Sequence, residues 1–392
     1  MIYFDNAATT KPFKKVAEAA LDAALLDFGN PSSLHGLGYF AEKKLCNARK
    51  IIASSLNAKA EQIIFTSGAT ESNNIAILYV AESCRKGKIV TTNAEHASVL
   101  DSIRSLSKKG FEVVEVSTKG GMVDLDELRA VIDKDTVLVS VMLANNETGV
   151  IFPIKEIGSI VMSNNRINKS NTIFHVDAVQ GYMKIPFSPA ASNVDLCSLS
   201  AHKIHGLKGC GALYVRDKRI LRNKSFAFGG SQELGIRGGT ENIVGICAFA
   251  EAVNEICKHN ENNILNITNI LEYMYDTILN IENIVINFPN KNNKNGKDNY
   301  IALPNIMNIS ILGYKSETMM NFFSNHGIYL SSGTTCKKGA KSHVLKAAGL
   351  KDDLIDSALR ISFSCENTIN EADEFVYVLN KMMKTVHNTN IQ

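Results

Sequence analysis

The sequence predicts an α/β protein: a large domain built on a mostly parallel, seven-stranded sheet, followed by a smaller α+β domain. Between about residues 60 and 215, β-rich apolar runs alternate with amphipathic segments. These runs are continuously apolar, which is typical of strands that are buried on both faces of a sheet. After Gly239 the pattern changes to a long helical region, followed by further strands and helices.

The predicted strands of the large domain are, in chain order, IIFTS (63–67), KIVTT (88–92), EVVEV (112–116), TVLVSVML (136–143), IFHVDA (173–178), LCSLSA (196–201) and ALYV (212–215). Helical patterns such as SNNIAILYVAESC, HASVLDSIRSL and IKEIGSIVM separate several of them. The long helix spans about 240–279, and the polar stretch NKNNKNGKDN (290–299) predicts an exposed loop. The predicted domains are residues 15–255, and residues 1–14 with 256–392.

Composition narrows the class of protein. The chain has 392 residues, 45% hydrophobic and 21% charged, with a net charge of +3. These values are typical of a globular protein and leave no basic surface for nucleic acid. The N-terminus lacks the pattern of a signal peptide, and no apolar run approaches the ~20 residues that span a bilayer. We expect a cytoplasmic protein without a membrane partner.

The eight cysteines form no CxxC pair. A disulfide framework or a zinc site is therefore not expected, and no metal is predicted. Cys46, Cys84, Cys247 and Cys257 fall in helical patterns and are predicted to be packed.

Four segments that contain candidate functional residues follow predicted strands. They lie at the edge where ligands bind in open α/β sheets. FTSGATESNN (65–74) turns into a helix, whose free N–H groups suit a phosphate or an ordinary cap. In NAEHASV (93–99), His96 suits stacking on a flat ring, proton transfer or a structural role. In FHVDAVQ (174–180), Asp177 needs a partner, such as a protonated ring nitrogen or a helix N-terminus.

The fourth segment, SLSAHKIHGLKGCG (198–211), contains Lys203 with Ser200 and His202 beside it. A lysine amine forms a Schiff base once it is deprotonated, which partial burial and neighbouring cations favour. Pyridoxal phosphate needs a lysine, a carboxylate for its ring nitrogen, a phosphate cradle and a stacking face. Together, the four segments predict this cofactor.

The sequence also resembles the NifS/IscS-type cysteine desulfurases, which belong to the class V aminotransferase fold of pyridoxal phosphate enzymes (fold type I). The resemblance covers essentially the whole chain. Besides the four segments above, the motifs that carry it are YFDNAATTKP (3–12), FGNPSSLHGLG (28–38), ANNETGVIFPI (144–154), GIRGGTEN (235–242), SSGTTC (331–336) and LRISFS (359–364).

The resemblance implies a role for each site residue. It implies that Lys203 binds the cofactor as a Schiff base, Asp177 pairs with the ring nitrogen and Gln180 donates to the ring hydroxyl. His96 would stack on the ring and transfer protons. The implied phosphate ligands are Ala69, Thr70, Ser200 and His202, with Thr240 from the second subunit of a homodimer. The implied ligands of the substrate carboxylate are Asn146, Arg360 and Asn30.

Cys336 is the predicted sulfur nucleophile. It lies in YLSSGTTCKKGAKSHVL (329–345), whose composition predicts a mobile surface loop over about residues 329–342. The flanking Lys337 and Lys338 favour its thiolate, and the resemblance places it at the family's catalytic position. Related proteins usually have Ser-Gly-Ser-Ala-Cys followed by small residues, so the two lysines are a departure that concerns the sulfur acceptor.

The implied reaction removes sulfur from L-cysteine, giving L-alanine and a Cys336 persulfide. The persulfide sulfur then passes to an acceptor protein, such as an iron–sulfur scaffold or a tRNA thiolation partner. One alternative is a selenocysteine lyase or another aminotransferase-fold enzyme, which would need Lys203 but no reactive Cys336. A second is a non-catalytic sulfur carrier, which would predict a damaged lysine site.

Overall fold

The computed structural model describes residues 1–84, 86–221, 226–288, 301–332 and 341–386. The strands are β1 (Ile2–Tyr3), β2 (Ile63–Thr66), β3 (Lys88–Thr92), β4 (Glu112–Val116), β5 (Thr136–Met142), β6 (Ile173–Asp177), β7 (Leu196–Ser200), β8 (Gly211–Val215), β9 (Ile284–Ile286), β10 (Ile306–Ile311), β11 (Ile328–Tyr329) and β12 (Ala358–Ser362). The predicted strands of the large domain are confirmed, with ends that differ by at most one residue.

The helices are α1 (Lys14–Leu25), α2 (Gly36–Ser55), α3 (Ala69–Ser83), α4 (Ala97–Ser107), α5 (Leu125–Val131), α6 (Ile154–Asn168), α7 (Ile243–Ile278), α8 (Ser316–Asn325), α9 (His343–Ala347), α10 (Asp352–Asp356) and α11 (Ile369–Thr385). The three amphipathic stretches of the large domain form α3, α4 and α6, as predicted. None of the helices among the described residues is long and apolar enough to span a bilayer.

The central sheet has seven strands in the order β2–β8–β7–β6–β5–β3–β4. Only β8 runs antiparallel to its neighbours. The predicted seven-stranded, mostly parallel sheet is therefore confirmed. Most of its strands are fully buried, as their continuous apolar runs predict.

The strand register places the four segments at one edge of the sheet. Asp177, the last residue of β6, lies opposite Ser198 of β7, and Ser200 ends that strand opposite Gly211 of β8. Gly211 also lies opposite Thr66, the last residue of β2. Because these ends share one edge, the residues that follow them converge.

A second apolar core lies outside the central sheet. It contains residues of β1, α7, β10, α8, β12 and α11, and β12–β10–β9 form a three-stranded antiparallel sheet within this part of the chain. Helix α7 reaches both cores: Ile256 belongs to the core that contains strands of the central sheet, and Ile270 belongs to the second core. The predicted boundary at 255/256 falls inside this continuous helix, so the domain division stays a prediction.

One prediction about the cysteines is wrong. Cys46 of α2 and Cys257 of α7 are exposed rather than packed. Each directly follows a buried residue, Leu45 or Ile256, and one step along a helix rotates the side chain by about 100° away from that face.

Candidate active site

A cavity of about 570 Å³ opens at the edge of the sheet where the four segments converge. Its lining residues come from the N-terminal segment, from the segments that follow β2, β3, β5, β6 and β7, and from β12. The predicted site residues that line it are Ala69, Thr70, His96, Asn146, Asp177, Gln180, Ser200, His202, Lys203 and Arg360. These ten residues are a little under half of the cavity's 22 lining residues.

Lys203 lies in the short 3-10 turn that follows β7. Its Nζ donates to the carbonyl oxygens of Ala7 at 2.6 Å and Ala8 at 2.8 Å. The N-terminal segment is held there by a backbone hydrogen bond from Thr10 N to His202 O, 2.9 Å long. This segment therefore holds the Lys203 amine at the cavity wall.

Asp177 is 6% exposed at the end of β6. Its Oδ2 accepts a 2.8 Å hydrogen bond from Asn73 Nδ2, and its Oδ1 accepts one of 3.1 Å from Val179 N. The Asn73 amide also donates to Ser98 Oγ at 2.9 Å. These two donors orient the Asp177 carboxylate at the cavity wall, where a carboxylate suits a cationic ring nitrogen.

His96 caps the N-terminus of α4. Its Nδ1 accepts from Ser98 N at 3.2 Å and lies 2.8 Å from Ser98 Oγ. His96 is exposed to the open cavity, but desolvation by the surrounding protein lowers its pKa. The positive charge of Lys203 adds to this shift, while Asp177 opposes it. The imidazole is therefore mainly neutral near pH 7, and Ser98 connects it through Asn73 to Asp177.

The N-terminus of α3 forms an anion-binding corner. Helix α3 begins at Ala69 after Gly68, whose φ of 154° favours glycine. A Cβ on Gly211 would lie 2.7 Å from Gly68 Cα, so the close approach of β8 requires glycine. Ser200 Oγ is buried at this cavity without a hydrogen-bond partner among the described residues. A phosphate oxygen would satisfy that donor, so the corner fits the phosphate group.

Three ionisable side chains, those of His202, Glu71 and Arg237, complete the corner. His202 Nδ1 lies 3.2 Å from Thr9 Oγ1, and burial, with the charges of Lys203 and Lys208, lowers the pKa of His202 to about 4. Glu71 also lines the cavity, where its carboxylate would repel an anion. Arg237 Nε lies 3.1 Å from Glu71 Oε1 and offsets that charge.

Arg360 brings a buried cation to the cavity wall. It is 1% exposed, with Nη2 donating to Asp5 Oδ1 at 2.7 Å and Nη1 to the Asn146 carbonyl at 2.9 Å. Its Nε is buried without a partner in the described part of the chain. A donor of this kind beside Asn146 suits a ligand carboxylate.

Cys336 lies outside the described residues, but one flank of its segment pairs with a residue of the cavity wall and the other bonds to residues adjacent to that wall. Ser331 pairs with Arg360 through backbone hydrogen bonds of 2.6 and 3.3 Å. On the other flank, Ser342 Oγ donates to Glu147 Oε2 at 2.5 Å. His343 Nε2 lies 3.0 Å from the Glu95 carbonyl, next to His96.

Two predicted site residues do not line the cavity of this chain. Asn30 is exposed, and its side chain accepts from Ser32 N at 2.9 Å. Thr240 is also exposed, after the GIRGG segment. Their roles stay predictions.

Four residues that support the site have no role predicted from the sequence. Asn73 lies within FTSGATESNN, and Asp5, Ala7 and Ala8 lie within the N-terminal motif. Polar residues directly after the first helical turn, and an N-terminal motif of small residues, are the signals that point to them.

Comparisons with known proteins agree with this geometry. The family model of the class V aminotransferases matches residues 2–375. Cysteine desulfurase IscS of Methanosarcina thermophila is 37% identical over 392 residues, covering 99% of this chain and 93% of the relative.

Solved structures give the same result. A NifS-like protein superposes with a TM-score of 0.89 at 36% identity, covering 98% of this chain and all of the other. SspA in complex with cysteine superposes with a TM-score of 0.78 at 31% identity, covering 93% and 99%. The chain belongs to the class V aminotransferase family, in the group of the NifS/IscS-type cysteine desulfurases.

Proposed function

We propose that the protein transfers the sulfur of L-cysteine to its own Cys336, releasing L-alanine, with pyridoxal phosphate as cofactor. The observation that carries the proposal is that both flanks of the Cys336 segment are held beside the cavity. Ser331 pairs with Arg360, which lines the cavity together with Lys203. Ser342 bonds to Glu147, which directly follows the lining residue Asn146.

The described residues fit the cofactor. Lys203 would bind it, Asp177 would pair with its ring nitrogen and Gln180 with its ring hydroxyl. Its phosphate would accept from the N-terminus of α3 and from Ser200. When bound, pyridoxal phosphate supplies an electron sink for charge that develops at the substrate α-carbon.

Different residues of the chain would bind the substrate, transfer protons and position the cofactor partner Asp177. Arg360 and Asn146 bind the substrate carboxylate, which orients the α-carbon. The Lys203 amine would take the α-proton, and His96 would lie against the cofactor ring and transfer protons. Asn73 holds Asp177 in place.

The sulfur step conserves atoms and electrons. The Cys336 thiolate attacks the substrate sulfur, so an S–S bond forms as the C–S bond breaks. The electron pair stays with the carbon, which takes up a proton and leaves as alanine. The Cys336 persulfide then passes its outer sulfur to the thiol of an acceptor protein, in iron–sulfur cluster assembly or tRNA thiolation.

The working unit is a homodimer in this proposal. Thr240 does not line the cavity of its own chain, so a second copy would supply it to the phosphate. Exposed apolar side chains on α1, α2 and the connection between them support an interface there. They include Leu25, Leu26, Phe28, Leu34 and Phe40.

The test uses the purified holoenzyme. We expect a yellow protein that forms one alanine for each sulfide released in the presence of a reductant. Cys336→Ala should retain the visible band and lose turnover, whereas Lys203→Ala should lose the band. A Cys336→Ala variant that desulfurates cysteine normally would exclude the persulfide step, and a band that survives Lys203→Ala would exclude the cofactor site.

A further inference from the structure

A chain of hydrogen bonds joins a second lysine, Lys184, to Lys203. Lys184 Nζ donates to Gln180 Oε1 at 3.1 Å, and Gln180 Nε2 donates to the Ala7 carbonyl at 2.9 Å. The same carbonyl accepts from Lys203 Nζ at 2.6 Å. Lys184 therefore bonds to the Gln180 amide at one end of this chain of hydrogen bonds, and Lys203 bonds to the Ala7 carbonyl at the other end.

Lys184 occupies an unusual environment for a cation. Burial lowers its pKa to about 7, and the positive charges of Lys203 and Arg360 contribute to the shift. Within the described part of the chain, no carboxylate lies within ion-pair distance of its Nζ. Burying a charged amine without an anionic partner costs free energy. The position of Lys184 beside Gln180 therefore suggests that it has a function.

Lys184 and Lys203 also line a second, smaller cavity of about 60 Å³. The ionisable groups that face Lys184 across this region are Lys203, His202, His205, Arg360 and Cys365. Burial lowers the pKa values of both histidines to about 4 and raises that of Cys365 to about 11, so all three are neutral near pH 7. The charge of Arg360 is paired with Asp5.

We propose that Lys184 is a positioning residue for Lys203: it fixes the Gln180 amide and the Ala7 carbonyl against the Lys203 amine, and its positive charge favours the neutral form of that amine. The inference rests on the proposed function, because it concerns the lysine that binds the cofactor. A neighbouring like charge disfavours protonation, which is one way in which enzymes activate a lysine.

The two contributions differ in their dependence on pH. The charge of Lys184 is present below its pKa of about 7 and fades above it. The hydrogen bond to Gln180 does not require that charge, because a neutral amine still donates. A variant that removes only the charge therefore separates the two effects.

The experiment titrates the visible band of the bound cofactor in the holoenzyme, because its pH midpoint reports protonation at Lys203 Nζ. The variants are Lys184→Gln, which can still donate a hydrogen bond, Lys184→Met, which cannot, and Lys184→Arg, which keeps the charge. Lys155→Met, an exposed lysine on α6, is the matched control. Thermal melting identifies any variant that fails to fold.

We expect the midpoint to rise by about one pH unit in both Lys184→Gln and Lys184→Met, because both lose the charge. Turnover near pH 7 should be about tenfold lower in Lys184→Gln and lower still in Lys184→Met, which also loses the hydrogen bond. Lys184→Arg should restore both values, and Lys155→Met should match wild type. If the wild type is active but Lys184→Gln and Lys155→Met have the same midpoint, this inference is wrong and the proposed function still stands. A wild type that forms no alanine overturns the proposed function instead. If Lys184→Met does not fold, the glutamine and arginine variants decide.

Discussion

Substituting Asn73 by leucine tests how the site holds Asp177. Asn73 is fully buried in α3, donates to Asp177 Oδ2 at 2.8 Å, and leaves its own Oδ1 without a partner among the described residues. Losing the hydrogen bond to the carboxylate costs about 1.5–3 kcal/mol, and losing the bond to Ser98 Oγ costs about 0.5–1.5 kcal/mol more. Removing the unpartnered carbonyl recovers about 1–3 kcal/mol of desolvation cost. We therefore expect kcat/KM to fall about 10- to 100-fold while the free energy of unfolding falls by only about 1 kcal/mol.

The assay is alanine formation from L-cysteine with saturating cofactor, together with urea unfolding of the cofactor-free protein. Asn74→Leu is the matched control, because the adjacent Asn74 bonds to Thr70 O and Ser102 Oγ rather than to Asp177. If Asn73→Leu retains the activity of Asn74→Leu, the Asn73–Asp177 hydrogen bond has no part in the reaction. A large loss of stability would show that packing, rather than the carboxylate, dominates at this position.

Three further predictions concern the cofactor corner, a buried ion pair and the dependence on pH. Ser200→Ala should weaken pyridoxal phosphate binding about tenfold in a fluorescence titration and leave the apoprotein as stable as wild type, because Ser200 Oγ has no partner in the described chain. Arg49→Met should lower the free energy of unfolding, measured by urea denaturation, by about 3–5 kcal/mol. It leaves the buried Glu233 carboxylate without the Arg49 guanidinium, which donates to it at 2.6 and 2.8 Å. Burial raises the pKa of Glu95 from 4.5 to about 8, so the native carboxyl keeps a proton that the unfolded chain releases. Its burial therefore makes stability fall as pH rises between these two values, by up to about 1.4 kcal/mol per unit, and Glu95→Gln should flatten that slope; equal slopes in both proteins would contradict the assignment.

The sequence predicted those parts of the site that depend on local pattern. Continuous apolar runs identify buried parallel strands, and polar residues directly after them must meet at one edge. For this reason the sequence alone predicts that Lys203, Asp177, His96 and the N-terminus of α3 lie together.

The parts that could not be predicted depend on contacts between distant residues. The Asn73–Asp177 bond joins residues 104 positions apart, and the bond from Lys203 to Ala7 joins residues 196 apart. No local pattern specifies which donor reaches which carboxylate. The exposure of Cys46 and Cys257 depends on a single step around a helix, which composition does not resolve.

The claim that Cys336 receives the sulfur of L-cysteine can be measured in a single turnover. The holoenzyme reacts with one equivalent of L-cysteine, without reductant or acceptor. Mass spectrometry of the digested protein should find one added sulfur atom on the peptide that contains Cys336, with one alanine formed per active site. Cys336→Ala should gain no sulfur. Alanine formed with the sulfur on another cysteine, or at the wild-type rate by Cys336→Ala, would contradict the account.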